Sequence, residues 1–163
     1  MAAVRPIAAR DEARWRELFT AYGVFYKTAF GPEVLDGVWR WLLDPDHEVN
    51  AFVAVAESVA ESDAAANAGT GAGADPIIGF AHFRQLADTF TAGHSLYLDD
   101  LYVDPAARGT GAATALLEAM AVLSRERGCT EIRWITAADN ARAQRVYDRL
   151  AKKTSWVTYE MDV

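Results

Sequence analysis

Apolar side chains along the first half of the chain follow helical spacing and then strand-like spacing. In ARDEARWRELFTAYGVFY they recur at i, i+3, i+4 and i+7, as in an amphipathic helix: Trp15, Leu18, Phe19 and Tyr22. Asp11 precedes this stripe as a candidate N-cap. A second helix is predicted over EVLDGVWRWLLDP, which Pro45 ends. VRPI, NAFVAVAES and PIIGFAHFRQLA are typical of strands, and the second is apolar enough to be central in a sheet.

The second half of the chain alternates between strand and helix patterns. The predicted elements are a strand at Ser95–Val103, a helix near 110–127, a strand at 131–136, a helix near 140–152 and a last strand at Trp156–Met161. This alternation predicts an α/β fold with a mixed, twisted sheet flanked by helices.

One segment, residues 59–75, contains no aromatic residue, Leu or Ile. Such a segment cannot bury enough apolar surface to offset the entropy lost on ordering. We interpret it as a flexible Ala/Gly-rich loop within one domain spanning residues 1–163. A linker between two domains is the alternative, but the 58 residues before it are few for an independent core.

Composition narrows the possible partners and location. The 163 residues include 52% hydrophobic and 24% charged positions, which is typical of globular proteins, and the formal charge is −7. That charge repels polyanions, so we expect no nucleic-acid partner. A lone cysteine, Cys129, excludes an internal disulfide and is expected to be a small buried apolar residue. With neither a signal-peptide pattern nor an apolar run of about 20 residues, the chain is expected to be cytoplasmic, with no membrane partner.

The clearest candidate for chemistry is LYLDDLYVDPAARGTGAATALLEAM, residues 96–120, in which a glycine turn joins a strand to a helix. A helix N-terminus presents unpaired backbone N–H groups and a positive dipole end, which suit a phosphate. Gly109 and Gly111 allow the backbone to approach a ligand closely, and Arg108 adds a positive charge. A plain turn between a strand and a helix is the equally weighted alternative.

Two familiar phosphate-binding patterns do not fit this turn. A P-loop requires Gly-Lys-Ser or Gly-Lys-Thr, and the chain contains neither. A dinucleotide-binding fingerprint requires Gly or Ala three residues after its second Gly, where this chain has Thr114.

A third pattern does fit, because the stretch resembles the acyl-coenzyme A motif of the Gcn5-related N-acetyltransferase (GNAT) superfamily. The motif's Arg/Gln-x-x-Gly-x-Gly/Ala is Arg108-x-x-Gly111-x-Ala113 here, and a second family motif is matched at Asn140, Ala143 and Tyr147. The resemblance implies a sheet with two splayed strands and acetyl-coenzyme A as co-substrate. It assigns coenzyme A binding to these residues: Leu101, Tyr102, Val103, Arg108, Gly109, Thr110, Gly111, Ala112, Ala113, Asn140 and Ala143.

One departure from the family is Leu150-Ala151-Lys152, where many members have Leu-Gly-Phe. It leaves open how the last strands are arranged and whether a partner subunit completes the sheet. A homodimer is therefore a possible assembly.

Two residues of the second motif carry alternative interpretations. Tyr147 lies on an apolar helical stripe, so the spacing alone favours a core tyrosine. The resemblance implies instead that it is the general acid that protonates the leaving thiolate. Asn140 is a candidate N-cap, and the resemblance adds a contact to the pantetheine arm.

The acid pair Asp99 and Asp100 interrupts an apolar strand, where a regular strand would direct the two side chains to opposite faces. LYLDDLYV resembles the corresponding strand of the polyamine and diamine acetyltransferase branch. The resemblance implies that Asp99 acts through water as the base for the acceptor amine and that Asp100 helps to bind a cationic acceptor. A bulge, which is usual in the family's strand, would change the faces of the pair.

The acceptor pocket of the family follows the first helix, and this position contains Tyr22, Phe25 and Tyr26. We assign Tyr22 and Tyr26 to substrate binding, and core positions are equally compatible with the spacing. Trp156 and Tyr159 are further candidates. The three histidines, His47, His82 and His94, have no metal-ligand spacing and are expected near the surface, so we expect no metal.

Together these observations predict an N-acetyltransferase that moves an acetyl group directly from acetyl-coenzyme A to the amine of a small metabolite. Polyamines, diamines and amino-acid-like amines are the expected acceptors. Acetylation of a protein N-terminus or lysine and a non-catalytic acyl-coenzyme A-binding module are the alternatives.

Overall fold

The computed structural model describes residues 2–56 and 76–163, which contain a five-stranded sheet in the order β1-β2-β3-β4-β5. Its strands are β1 Ala3–Pro6, β2 Val49–Val55, β3 Ile77–Asp88, β4 Gly93–Val103 and β5 Ile132–Arg133. Neighbours from β1 to β4 pair antiparallel, and β5 pairs parallel to β4. The predicted mixed sheet is thus confirmed. The predicted loop at 59–75 lies outside the described residues.

Helices cover both faces of the sheet. They are α1 Glu12–Phe25, α2 Pro32–Leu43, α3 Ala112–Glu126 and α4 Ala141–Tyr147. On one face, Trp15 and Trp39 from α1 and α2 pack on Phe80 of β3. On the other face, Leu116 of α3 packs on Phe83, and α4 packs beside it through Val146 and Tyr147. Because β3 is covered on both faces, its sequence is an apolar run over most of its length.

The strands β4 and β5 separate soon after they meet. Only two residue pairs join them, Leu96 with Ile132 and Tyr97 with Arg133. The predicted strand at 131–136 is therefore shorter than expected, because the backbone beyond Arg133 diverges from β4. This separation is the splay that the family resemblance implied, and it opens a cleft at the edge of the sheet.

The end of the chain differs from the prediction. The helix α4 ends at Tyr147 rather than near residue 152, and no strand forms at Trp156–Met161. A strand has no internal hydrogen bonds, so alternating side chains form one only beside a neighbouring strand. Residues 151–163 lie exposed, with Trp156 86% and Tyr159 88% accessible. The homodimer stays a prediction.

Asp11 occupies the N-cap position of α1 but does not cap it with its side chain. Its buried carboxylate accepts two hydrogen bonds from Arg5, at 2.6 and 2.8 Å, and one from the backbone N–H of Ala8 at 2.9 Å. Burial opposes ionisation of Asp11, but these hydrogen bonds outweigh it and lower its pKa.

We expect Asp11→Asn to lower the free energy of unfolding by about 2 kcal/mol at neutral pH, because hydrogen bonds to charged groups contribute roughly 1.5–3 kcal/mol. A lowered pKa stabilises the fold above the unfolded value of about 3.9, and this contribution is lost as the pH falls through the lowered value. The deficit should therefore shrink in acid. Urea unfolding of the wild type and the variant at neutral and at acidic pH measures this deficit in stability. Asp46→Asn, which changes an exposed aspartate, is the control. Equal stability of the two variants at neutral pH would contradict the prediction.

Within the described residues, no helix has the length and apolarity to cross a membrane.

Candidate active site

A cleft of about 390 Å³ lies where β4 and β5 separate. One wall is β4 and the glycine turn that follows it, and the opposite wall is the segment after β5 together with α4. The end of α1 closes one side. The predicted site residues that line the cleft are Tyr22, Tyr26, Asp99, Leu101, Tyr102, Val103, Arg108, Gly109, Gly111, Ala112, Ala113, Asn140, Ala143 and Tyr147. The predicted Thr110 and Asp100 are not among the lining residues.

The glycine turn forms an open backbone surface at the start of α3. Gly109 and Gly111 have φ values of +84° and +89°, a left-handed conformation that favours glycine. A Cβ added at either would meet no protein atom within 4 Å, so both glycines face open space. The first hydrogen bond of α3 runs from the N–H of Ala115 to the carbonyl of Gly111 at 2.9 Å. The N–H groups from Ala112 to Thr114 therefore have no acceptor within the helix and are available to an anion.

A short 3-10 turn, Pro105–Ala107, holds the glycine turn in position. Asp104 caps this turn by accepting a hydrogen bond from the N–H of Ala106 at 2.8 Å, and it also pairs with Arg14 of α1. The cap and the ion pair together lower the pKa of Asp104 despite the cost of partial burial. The glycine turn is thus tied to α1 on the opposite side of the sheet.

Positive charge gathers around the cleft although the whole chain is acidic. Arg108, Arg142 and Arg149 all line it, and the guanidinium of Arg108 lies 6.0 Å from the ring centre of Tyr102. Sequence reasoning found Arg108 but missed the other two. Arg142 and Arg149 flank the Ala143–Tyr147 motif in the sequence, and this position could have indicated that they lie at the cleft.

Tyr147 lies on the wall formed by α4. Its ring meets that of Trp134 edge to face, with centroids 5.3 Å apart, and packs against the core beneath α3. Burial, with a smaller effect from Tyr26, raises the pKa of Tyr147 to about 12. The residue therefore has both of the properties expected from the sequence, a core contact and a position in the cleft. At neutral pH its hydroxyl keeps its proton.

Asn140 caps α4 through its side chain. Its Oδ1 accepts a hydrogen bond from the N–H of Ala143 at 3.3 Å, and its Nδ2 donates to Thr136 Oγ1 at 3.3 Å. The predicted N-cap is present, and the residue also lines the cleft.

The acid pair sits at a β-bulge. Leu98 pairs with Phe83 and Asp100 with His82, so Asp99 is the extra residue on β4. Asp99 Oδ1 contacts Arg84 Nη2 at 3.1 Å, and Asp100 Oδ2 contacts His82 Nδ1 at 2.9 Å. Since His82 and Arg84 are two residues apart on β3, they share one face of the sheet. The strand is therefore not regular here: it has the bulge that the resemblance suggested, and the bulge brings both carboxylates to the same face.

The two carboxylates have opposite pKa shifts. Burial raises the pKa of Asp99 more than Arg84 lowers it. Burial also opposes ionisation of Asp100, but the hydrogen bond with His82, with a smaller effect from Tyr22, outweighs it and lowers the pKa of Asp100. A pair of acids whose pKa values are driven apart is typical of sites where one group exchanges a proton and the other keeps its charge.

Aromatic side chains at the end of α1 and just after it close one side of the cleft. Tyr22, Phe25 and Tyr26 line it, and Phe25 and Tyr26 are 51% and 41% exposed. The exposed Trp156 and Tyr159 are not lining residues, so that expectation is wrong. So is the surface position expected for His82, which is 2% exposed. His82 is a polar residue inside the apolar run GFAHF, and this position in the sequence could have indicated that it is buried.

Among residues 2–56 and 76–163, no group of three or more His, Cys, Asp or Glu side chains is arranged to hold a metal ion.

Similarity to known proteins agrees with this geometry. The profile of the acetyltransferase (GNAT) family matches residues 14–151. The D-amino-acid N-acetyltransferase HPA3 of Saccharomyces cerevisiae is 31% identical over 157 residues, covering 96% of this chain and 88% of that protein. The thialysine N-epsilon-acetyltransferase of Caenorhabditis elegans is 33% identical over 75 residues, covering 43% of this chain and 47% of that protein.

Solved structures share the fold at low identity. The ribosomal-protein-alanine N-acetyltransferase from Brucella melitensis biovar Abortus 2308 has a TM-score of 0.75 at 20% identity, with 100% of this chain and 99% of that chain covered. AAC(6')-Iy, in complex with the bisubstrate analog CoA-S-monomethyl-acetylneamine, has a TM-score of 0.76 at 19% identity, with the same coverage.

The family match begins in α1, which supplies the aromatic side of the cleft, and continues through β4, the glycine turn and α4. Because it includes every wall of the cleft, the chain belongs to the acetyltransferase (GNAT) family and is an acyl-coenzyme A-dependent N-acetyltransferase with acetyl-coenzyme A as its co-substrate.

Proposed function

We propose that this enzyme acetylates the amine of a small metabolite, with polyamines, diamines and amino-acid-like amines as the acceptor classes. The observation that carries the proposal is that Asp99, whose carboxylate is half-buried, lines the same cleft as Tyr147. Two relatives are named for small amine acceptors, a D-amino acid and thialysine, which supports this class.

The residues present fit coenzyme A. The free N–H groups at the start of α3 and the open backbone at Gly109 and Gly111 suit its pyrophosphate, and Arg108, Arg142 and Arg149 supply charge for its phosphates. Asn140 and Ala143, on the opposite wall, are assigned to the pantetheine arm. When bound, acetyl-coenzyme A supplies an acetyl thioester whose thiolate is the leaving group.

The chain's own side chains have two tasks in the transfer. An alkylammonium has a pKa of about 10.4, so a base must remove a proton before the amine can attack. Asp99 takes this role, because burial raises its pKa and makes it a better base than an exposed carboxylate. Tyr147 donates its proton towards the departing sulfur. Cys129 has no role in a direct transfer, and it packs against the core beneath α3.

A screen of amines tests the proposal. Polyamines, diamines, D- and L-amino acids and short peptides with free N-termini or lysines are incubated with acetyl-coenzyme A, and free thiol release is measured. We expect turnover with a small amine, verified by the mass of the acetylated product. Turnover with peptides alone would contradict the proposal in favour of protein acetylation, and binding of coenzyme A without any turnover would favour a binding module.

Gly111→Ala tests the phosphate-binding role of the turn. We expect at least about tenfold weaker coenzyme A binding, since the new Cβ would project from the backbone that approaches the pyrophosphate; a tenfold loss corresponds to about 1.4 kcal/mol. Gly128→Ala is a matched control because Gly128 also has a positive φ, +65°, faces open space and does not line the cleft. Both variants carry similar backbone strain. The difference between their affinities for coenzyme A, measured by calorimetric titration, therefore reports the contact between the turn and the pyrophosphate. Equal affinities in the two variants would place the pyrophosphate elsewhere.

A further inference from the structure

A chain of buried hydrogen bonds lies behind the acceptor side of the cleft. The indole Nε1–H of Trp15 donates to His82 Nε2 at 2.9 Å, and His82 Nδ1 lies 2.9 Å from Asp100 Oδ2. Trp15 and His82 are 0% and 2% exposed. Tyr22, which lines the cleft, lies near Asp100. The hydrogen bonds therefore run from the core beneath α1 to Asp100, next to the surface that an acceptor would meet.

Donor chemistry determines the tautomer of His82. An indole nitrogen only donates, so His82 Nε2 must accept and carries no proton. A neutral imidazole has one N–H, which must then be at Nδ1 and must donate to Asp100. Protonation of Nε2 would set two N–H groups against each other and break the bond from Trp15. The Trp15 contact thus opposes the imidazolium form by geometry.

The charge of Asp100 lies close to the cleft. Asp100 directly follows Asp99, which lines the cleft, and it lies near Tyr22, another lining residue. Burial, and after it the charge of Asp100, raise the pKa of Tyr22, so the Tyr22 hydroxyl keeps its proton and Asp100 provides the negative charge on this side of the cleft.

Other charged groups surround this chain. They are Asp99 of β4 beside Asp100, Arg84 two residues beyond His82 on β3, and Glu48 just before β2. Arg84 pairs with Asp99. The charge of Asp100 is therefore left chiefly to His82 to stabilise.

We propose that Trp15 and His82 are positioning residues that keep Asp100 ionised beside the cleft, so that the acceptor site selects amines that carry positive charge. The proposal rests on the proposed function in taking an amine as acceptor. It gives Asp100 a role through its charge rather than by direct contact with the substrate. The acceptor class it favours is a diamine or polyamine, in which one nitrogen reacts while another keeps its charge.

Substitutions of His82 separate hydrogen bonding from packing. His82→Phe keeps an aromatic ring and removes both nitrogens, whereas the amide nitrogen of His82→Asn can take the place of Nδ1 and still donate to Asp100. The control is Trp39→Phe, which alters the same aromatic core, 5.1 Å from Trp15 between ring centroids, without touching the hydrogen-bonded chain. KM for the amine, KM for acetyl-coenzyme A and kcat are measured between pH 5.5 and 8.5 after thermal unfolding shows that each variant is folded.

We expect His82→Phe to raise KM for a diamine about tenfold near pH 6 and less near pH 8, because Asp100 without its donor becomes protonated more easily, and one pKa unit is a tenfold change. His82→Asn should restore most of the lost affinity, and KM for acetyl-coenzyme A should not change. Matching profiles for His82→Phe and Trp39→Phe would overturn the proposal. So would an Asn variant no better than the Phe variant, since packing alone would then explain the loss.

The tautomer gives a second test that does not depend on the identity of the acceptor. In protein labelled with ¹⁵N at histidine, long-range ¹H–¹⁵N correlations distinguish a protonated Nδ1 from a protonated Nε2, and His82→Asn assigns the signal among those of His47 and His94. We expect the neutral ring to carry its proton at Nδ1, and a mixture of the two tautomers in Trp15→Phe. A ring protonated at Nε2 in the wild type would overturn the proposal. An inactive enzyme with the expected tautomer would contradict the proposed function and leave the hydrogen-bonded chain supported.

Discussion

Tyr147→Phe is expected to lower kcat by roughly 10²–10⁴, the range that a positioned proton donor contributes. The substitution removes only the hydroxyl and keeps the ring that packs on Trp134, so the wall of the cleft should persist. Affinity for coenzyme A should change little, because the groups that we propose to bind its phosphates belong to the turn before α3 and to the arginines. The loss should therefore appear in kcat and not in KM.

The pH dependence of this loss follows from the pKa of Tyr147. Because burial raises that pKa to about 12, the hydroxyl is protonated throughout the range in which the enzyme can be assayed. The activity ratio of wild type to Tyr147→Phe should therefore be constant from about pH 6 to pH 9. Tyr159→Phe, in the exposed terminal segment, is the control and should match the wild type. A kcat within about twofold of wild type in Tyr147→Phe would show that Tyr147 is a packing residue of the core and not the proton donor.

The parts of the fold that sequence predicted well are those in which local pattern and tertiary packing agree. The stripe of Trp15, Leu18 and Phe19 is buried on α1 as its spacing requires, and the apolar strand β2 lies inside the sheet and is covered on both faces, as predicted. The glycine turn was also recognisable, since its left-handed φ values favour glycine at Gly109 and Gly111. In each case the types of the residues and their spacing along the sequence are enough to predict the local structure.

The features that sequence did not predict depend on partners distant in the chain. The terminal residues alternate like a strand, but a strand requires a neighbour that periodicity does not reveal. The burial of His82 depends on Trp15, 67 residues earlier, and the pairing of Asp99 depends on Arg84 and on a bulge in β4. Arg142 and Arg149 join the cleft only because α4 lies across from the glycine turn. The sequence therefore identified Asp99 and Asp100 as a pair. Their different partners in the structure, Arg84 for Asp99 and His82 for Asp100, distinguish the two acids.

Asp99→Asn is expected to lower kcat/KM for the amine by about 10²-fold at neutral pH, because the variant keeps the shape of the side chain but cannot accept the ammonium proton. One carboxylate oxygen of Asp99 pairs with Arg84, which leaves the second to act on the acceptor, directly or through water. Burial raises the pKa of Asp99, so in the wild type activity should fall as the pH drops through that raised value. The variant should lack this acidic limb.

At higher pH the two enzymes should converge. An alkylammonium has a pKa of about 10.4, so each unit of pH below that value changes the fraction of free amine about tenfold. The Asn variant depends on amine that is already neutral, and its rate should rise about tenfold per pH unit, whereas the rate of Tyr147→Phe should not recover in this way. Asp100→Asn is the matched comparison, because it removes the neighbouring charge from a residue that does not line the cleft, and it should raise KM more than it lowers kcat. The measurement is a pH–rate profile of both Asn variants against wild type, with the amine found in the screen. If Asp99→Asn follows the wild type at every pH while Asp100→Asn loses kcat, the proton path runs through Asp100 and Tyr22, and Asp99 serves only to pair with Arg84.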